Sequence, residues 1–232
     1  MHFAGGNSYS FNFLKDRLSD FFEFIPLELP GRGKRFQEPL LTTKKDAIQD
    51  YVRQIKSHRN NQPYIIYGHS MGATLGLSVT KKMEQLQDAP LHLVVSGNAG
   101  PDIRKENKTI RYLLNDAEFK DELRALGGVP EEVLTNDELF EFFSPIIRSD
   151  FEVLEKDNFS EKGMVIQTPI KAIMGDEEET SEAIDNWQQF TSGDFSSQLM
   201  KGNHFFIYDH VEEIFNTLKY LATTSSVSSP NV

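Results

Sequence analysis

The pentapeptide Gly68-His69-Ser70-Met71-Gly72 constrains this chain more than any other stretch of it. It fits G-x-S-x-G, the pattern of a serine held in a sharp, strained turn between a strand and a helix. The outer glycines are needed because side chains two residues to either side of the serine would collide with the adjoining strand and helix. A chance match in a chain of this length has odds of about one in ten at ordinary glycine and serine abundance, so the context has to decide. Pro63-Tyr64-Ile65-Ile66-Tyr67 is a short apolar run of β-forming residues ending directly at Gly68, and a helix-like pattern begins at Thr74 and runs through Leu86. Strand, turn and helix follow one another in the order the motif demands. A Gly/Ser turn without chemistry is the bland alternative.

Short apolar runs alternate with longer helical patterns over most of the chain. Strands are expected at Phe24–Leu29, Tyr64–Tyr67, Leu91–Ser96, Ile170–Met174 and Ser197–Met200, with helices at Lys44–Arg59, Ala73–Gln87, Thr180–Phe190 and His210–Leu221. Such alternation predicts one α/β domain over residues 1–222, with a mainly parallel sheet covered by helices on both faces. One stretch breaks the rhythm. From about Pro101 to Lys162 the patterns are helical, around Thr109–Leu126 and Asp137–Phe143, with Gly127-Gly128-Val129-Pro130 as a stop and restart. Helices inserted between two sheet strands predict a lid over the carboxyl edge of the sheet, where open α/β folds bind ligands; a second helical layer serving stability alone is the alternative. The polar segment from Thr223 to Val232 reads as a frayed tail.

Charge and composition exclude other classes. The net charge is −11, from 35 acidic and 24 basic residues, so there is no basic excess to neutralise nucleic-acid phosphates or an anionic membrane. No apolar run has the length of a membrane span, and Met1-His2-Phe3-Ala4-Gly5 has neither the basic nor the apolar segment of a signal peptide. The absence of cysteine removes disulfides, thiol nucleophiles and cysteine–zinc sites, and is compatible with the cytoplasm. No cofactor and no metal are expected.

A serine hydroxyl needs a positioned base to act as a nucleophile. Of six histidines, His204 follows the last expected strand, precedes the final helix and comes last in the serine–acid–histidine order. His69 lies inside the turn and should point away from the serine. The acid should follow a late strand, and the strand ending at Met174 leads into Gly175-Asp176-Glu177-Glu178-Glu179. One carboxylate there is needed to hold the imidazole, and the run does not say which. Backbone donors for a developing oxyanion should come from Met71 and from the Gly-rich loop Phe3-Ala4-Gly5-Gly6.

Taken together, the motifs resemble those of the type II (editing) thioesterases of non-ribosomal peptide and polyketide synthesis, members of the α/β-hydrolase superfamily. Phe3-Ala4-Gly5-Gly6 is similar to the family's oxyanion loop, Pro30-Gly31-Arg32-Gly33-Lys34-Arg35 to its PGRG-x-R segment, and Gly68 to Gly72 to its GHSMG elbow. Leu126-Gly127-Gly128-Val129-Pro130 and Pro145-Ile146-Ile147-Arg148-Ser149-Asp150 match its lid patterns, and Gly202-Asn203-His204-Phe205-Phe206 its histidine loop. The resemblance implies an α/β-hydrolase fold with a lid, and hydrolysis of acyl groups from the phosphopantetheine arm of an acyl or peptidyl carrier protein by a monomer. It implies Ser70 as nucleophile, His204 as base and an oxyanion hole at Ala4 and Met71. The family's acid position falls on Glu178, with Asp176 as the alternative. Lid aromatics Phe119, Phe140, Phe142, Phe143 and Phe151 suit an apolar acyl channel, although plain packing would use them equally.

Relatives carry an apolar strand immediately before the F-A-G-G loop, which would lie beside the nucleophile strand. Here the chain opens on Met1-His2, and the expectation is a native start several residues upstream, against a truncated product with a poorly anchored Ala4 loop. Two other functions fit the same residues: a general acyl esterase or acyl-CoA thioesterase, and a non-catalytic hydrolase-like binding module.

Overall fold

In the computed structural model of the protein, which describes residues 1–103, 109–156 and 160–225, four parallel strands form a sheet in the order in which the chain makes them. They are β1 (Ile65–His69), β2 (His92–Ser96), β3 (Ile170–Gly175) and β4 (Phe195–Met200). The helices are α1 (Asn12–Leu18), α2 (Lys44–His58), α3 (Met71–Gln85), α4 (Asp116–Leu126), α5 (Glu131–Thr135), α6 (Asp137–Glu155) and α7 (Val211–Ser225). Parallel strands can be joined only by crossovers, and α3 provides the crossover from β1 to β2. The lid and its flanking loops join β2 to β3.

Alternation along the central strands divides the interior into two cores. Leu93, Val95, Ala172 and Met174 face one side with α2 and α3, while Val94 and Ile173 face the other with α1 and α7. Strands buried on both faces need continuous apolar runs, and this is why β2 and β3 read so plainly in the sequence. A third cluster, Phe119, Leu123, Leu134, Phe140, Ile147 and Phe151, belongs to the lid. Asn115 and Asn136 cap α4 and α6 by accepting from the N–H of Glu118 and Leu139. No helix among the described residues is long and apolar enough to cross a membrane.

Several expectations need correction. Phe24–Leu29 is not a strand: the Glu28 N–H goes to the Gln54 side chain and the Leu29 N–H to His2 Nε2, so no ladder forms. Helix α6 does not end near Phe143 but runs through Pro145 to Glu155. The Glu141 carbonyl freed by that proline lies on an exposed turn where water can satisfy it. The expected helix from Thr109 begins only at Asp116, after a short tight turn at Arg111–Leu113, and the segment Ser181–Phe190 is wound as a 3₁₀ helix. The final helix reaches Ser225; the rest of the expected tail lies outside the described residues.

Met1 lies along the outer edge of β1. Its ammonium donates to the Tyr67 carbonyl at 2.6 Å and its carbonyl accepts from the His69 N–H at 3.3 Å, the bonding pattern of a parallel neighbour. A groove of about 420 Å³, walled by Leu14, Phe22, Ile65 and Tyr67 among others, continues along this edge. The loop that follows is well anchored, because Gly6 N–H closes a turn onto Phe3 O and Gly5 N–H reaches the Asp150 carboxylate.

Candidate active site

The turn after β1 has the geometry the pentapeptide demands. Ser70 sits at φ 55° and ψ −111°, a conformation that L residues rarely adopt. A side chain at Gly68 would collide with the Gly72 carbonyl, and one at Gly72 with the backbone of Met1 and His2. The serine N–H is fixed by the Ser96 carbonyl at 2.8 Å. Strain of this kind is held in place by its surroundings and concentrates at functional sites. Met71 opens α3, so its N–H is one of the helix's unpaired first-turn donors and points with the positive end of the helix.

The loop after β4 brings His204 to the same place. Its Nδ1 is 2.7 Å from Glu178 Oε2, while Glu178 Oε1 accepts from the Gly175 N–H at 2.9 Å. A carboxylate on Nδ1 selects the tautomer with its proton there and leaves Nε2 as the basic nitrogen. Asp176, the alternative acid, faces elsewhere: its Oδ1 accepts from the Gly202 N–H at 2.8 Å and braces the histidine loop from its start. Gly175 allows this closeness, because a side chain there would strike the carbonyls of Gly202 and Asn203.

His69 is fully buried beneath this loop, with Nδ1 2.8 Å from Ser96 Oγ and its ring centred 5.0 Å from that of His204. Burial pushes its pKa well below the ordinary imidazole range, so it stays neutral.

Ser70, Ala4 and His204 line one cavity of about 390 Å³, whose remaining wall is chiefly apolar. Of the five lid phenylalanines, Phe143 and Phe151 border it. Phe119 and Phe140 are instead buried in the lid's own core, and half-exposed Phe142 stacks on Phe36 at the surface. The lid tip touches the histidine loop. Gly128, at φ +81°, lies against the Phe205 ring, where any side chain would overlap it.

Two residues whose part in the site was not legible from composition or spacing are Arg32 and Asp150. Both are buried, at 3% and 0% exposure, and form a bidentate pair at 2.6 and 2.8 Å directly behind the Phe3–Gly6 turn. Burial alone would lower the guanidinium pKa; the carboxylate beside it outweighs that and raises it. The usable signal was a lone aspartate within the apolar stripe Ile146, Ile147, Asp150, Phe151 of α6.

A family model described as "Thioesterase domain" matches residues 1–221. The gramicidin S biosynthesis protein GrsT of Aneurinibacillus migulanus is 31% identical over 215 residues, covering 91% of this chain and 83% of that protein. Among solved structures, ClbQ from the colibactin NRPS/PKS pathway superposes with a TM-score of 0.87 at 28% identity, covering 98% of this chain and 97% of that one. The type II thioesterase BorB from the borrelidin biosynthetic cluster gives a TM-score of 0.84 at 27% identity, covering 95% and 90%.

Proposed function

The chain belongs to the thioesterase domain family, and on that premise we propose that Ser70, His204 and Glu178 form a triad that releases acyl groups from the phosphopantetheine arm of carrier proteins. Thioester hydrolysis follows from the family. The finer reading, clearance of misprimed carriers in non-ribosomal peptide or polyketide synthesis, draws on relatives named for such pathways. It places the enzyme with its carriers in the cytoplasm.

The observation that carries the triad is the 2.7 Å bond from Glu178 to His204 Nδ1 at the edge of the cavity that Ser70 also lines. In the first step His204 Nε2 takes the hydroxyl proton as Ser70 Oγ attacks the thioester carbonyl. The N–H groups of Ala4 and Met71 receive the negative charge that develops on the carbonyl oxygen. Collapse of the tetrahedral intermediate expels the carrier thiolate, which takes the proton from His204. Water, deprotonated by the same imidazole, then attacks the acyl-enzyme, and the imidazolium so formed gives its proton to Ser70 Oγ as the ester bond breaks. Glu178 accepts from His204 Nδ1 and stabilises the imidazolium in both halves. The apolar wall beside Phe143 and Phe151 receives the acyl chain.

Labelling by a fluorophosphonate probe tests the nucleophile: wild type should label and Ser70→Ala should not. Comparing an acyl-carrier protein with the corresponding free acyl-pantetheine tests the substrate class. A higher kcat/KM on the carrier supports the editing reading, equal values identify a general acyl esterase or acyl-CoA thioesterase, and a wild type that neither labels nor turns over either substrate points to a binding module.

A further inference from the structure

We propose that Arg32 and Asp150 are positioning residues for the oxyanion hole, fixing the Phe3–Gly6 turn so that the Gly5 and Gly6 N–H groups are held by the protein while the Ala4 N–H is left for the substrate. The inference rests on the hydrolytic reading of Ser70 given above.

Backbone accounting across the loop carries it. Gly5 N–H donates to Asp150 Oδ2 at 2.7 Å, Gly6 N–H to Phe3 O at 2.9 Å, Asn7 N–H to Ser10 Oγ at 2.8 Å and Ser8 N–H to Glu28 Oε1 at 2.8 Å. Every N–H from Gly5 to Ser8 is therefore spent on a protein acceptor. The Ala4 N–H has no partner among the described residues, and Ala4 lines the cavity shared by Ser70 and His204. A backbone donor with no protein acceptor, on the wall of a cavity that also holds a nucleophile, is available for a ligand oxygen.

Arg32 and Asp150 hold this arrangement from both sides. The carboxylate takes the Gly5 N–H, and Arg32 Nη1 donates to the Gly6 carbonyl at 3.2 Å while pairing with Asp150. One residue comes from the loop before α2 and the other from α6, so two separate segments meet on the turn. Fastening the lid helix does not itself require charge, because Ile147 already packs against Gly5, where a side chain would crowd it. Burying two charges also gives little net stability compared with apolar residues of the same size. What a carboxylate does here, and an apolar side chain cannot, is draw the Gly5 N–H away from the cavity and set the plane of the preceding peptides.

The test uses the full chain. Asp150→Asn keeps the shape of the side chain, and the double variant Arg32→Gln/Asp150→Asn leaves no uncompensated buried charge. Each is measured by kcat and KM on an acyl-pantetheine thioester, normalised to serines titrated by a fluorophosphonate. Inhibition by a trifluoromethyl ketone, which forms a tetrahedral oxyanion, is measured alongside. A misaligned donor should lower kcat per titrated serine by about 10- to 100-fold and weaken the ketone by a similar factor, with KM moving less than about threefold. Wild-type kcat per titrated serine, or a fall in kcat without weaker ketone binding, would overturn the proposal. If neither variant folds, Arg32→Lys, which keeps the charge but not the fork, should show the same pattern at about 3- to 10-fold; unchanged kcat there overturns it equally. Ser70→Ala serves as the separate control, since turnover surviving in it would remove the hydrolytic reading itself, whatever Asp150 does.

Discussion

The two sides of the cavity are built by different means. On the sheet side, Ser70, Met71, Glu178 and His204 stand at the ends of β1, β3 and β4, and glycines bring the backbones into contact there. On the lid side, the wall is made of side chains from α4 to α6, and the Ala4 turn is held by a buried ion pair. Backbone contact tolerates almost no change, whereas a wall of side chains can be resized. On the function proposed above, the sheet side fixes the chemistry and the lid side the acyl group, and this division can be broken by mutation.

The largest effect is expected from Glu178→Gln, which should lower kcat by about 10³- to 10⁴-fold because an amide no longer stabilises the imidazolium. Asp176→Asn, which keeps an acceptor for the Gly202 N–H and loses only the charge, should cost less than about tenfold. Steady-state kinetics of the two variants decide the assignment, and the reverse ranking would transfer the acid role to Asp176. Next comes Gly175→Ala. Its methyl group would push the histidine loop off β3, and about a 100-fold loss of kcat is expected from the separation of Glu178 and His204, readable in the same assay with the protein still folded by circular dichroism.

A smaller effect concerns stability and pH. His69 is held neutral by burial, so its folded pKa lies well below that of a free imidazole at about 6.5. The unfolded chain then binds the proton that the folded one refuses, and stability is lost as pH falls below that value, by up to about 1.4 kcal/mol per pH unit for this group. Urea midpoints at pH 7.5 and 5.5 should show the loss, and His69→Gln should lessen it while the buried His2, also held well below the imidazole range, keeps its share; an equal slope in the variant would refute the account. The smallest effect is expected on the lid side. Phe143→Ala should change kcat on a given thioester by less than about tenfold while moving preference toward bulkier acyl groups, measured as kcat/KM across a chain-length series. A 1,000-fold fall with unchanged preference would erase the distinction between the two sides.

The same division explains what the sequence could reveal. The elbow was legible because its requirements are local: a β run, two glycines and a helix start within about a dozen residues. His204 was legible from chain order. The proposed acid was legible only as a run, because Glu178 and Asp176 are told apart by which carboxylate the turn aims at Nδ1 and which at the Gly202 N–H. Phe24–Leu29 has strand-forming residues but no neighbour to pair with, and propensity does not report partners. The Arg32–Asp150 pair joins residues 118 apart in sequence. Nothing local in either segment says that they meet behind Gly5.

Helix α6 carries Ile147 and Phe151 into the cavity wall and Asp150, from between them, onto Gly5. On the two proposals made above, chain-length preference and catalytic competence share a single structural part. Anyone exchanging this lid for another to change product spectrum would have to transplant α6 in register with Gly5, or leave it in place and vary only α4 and α5.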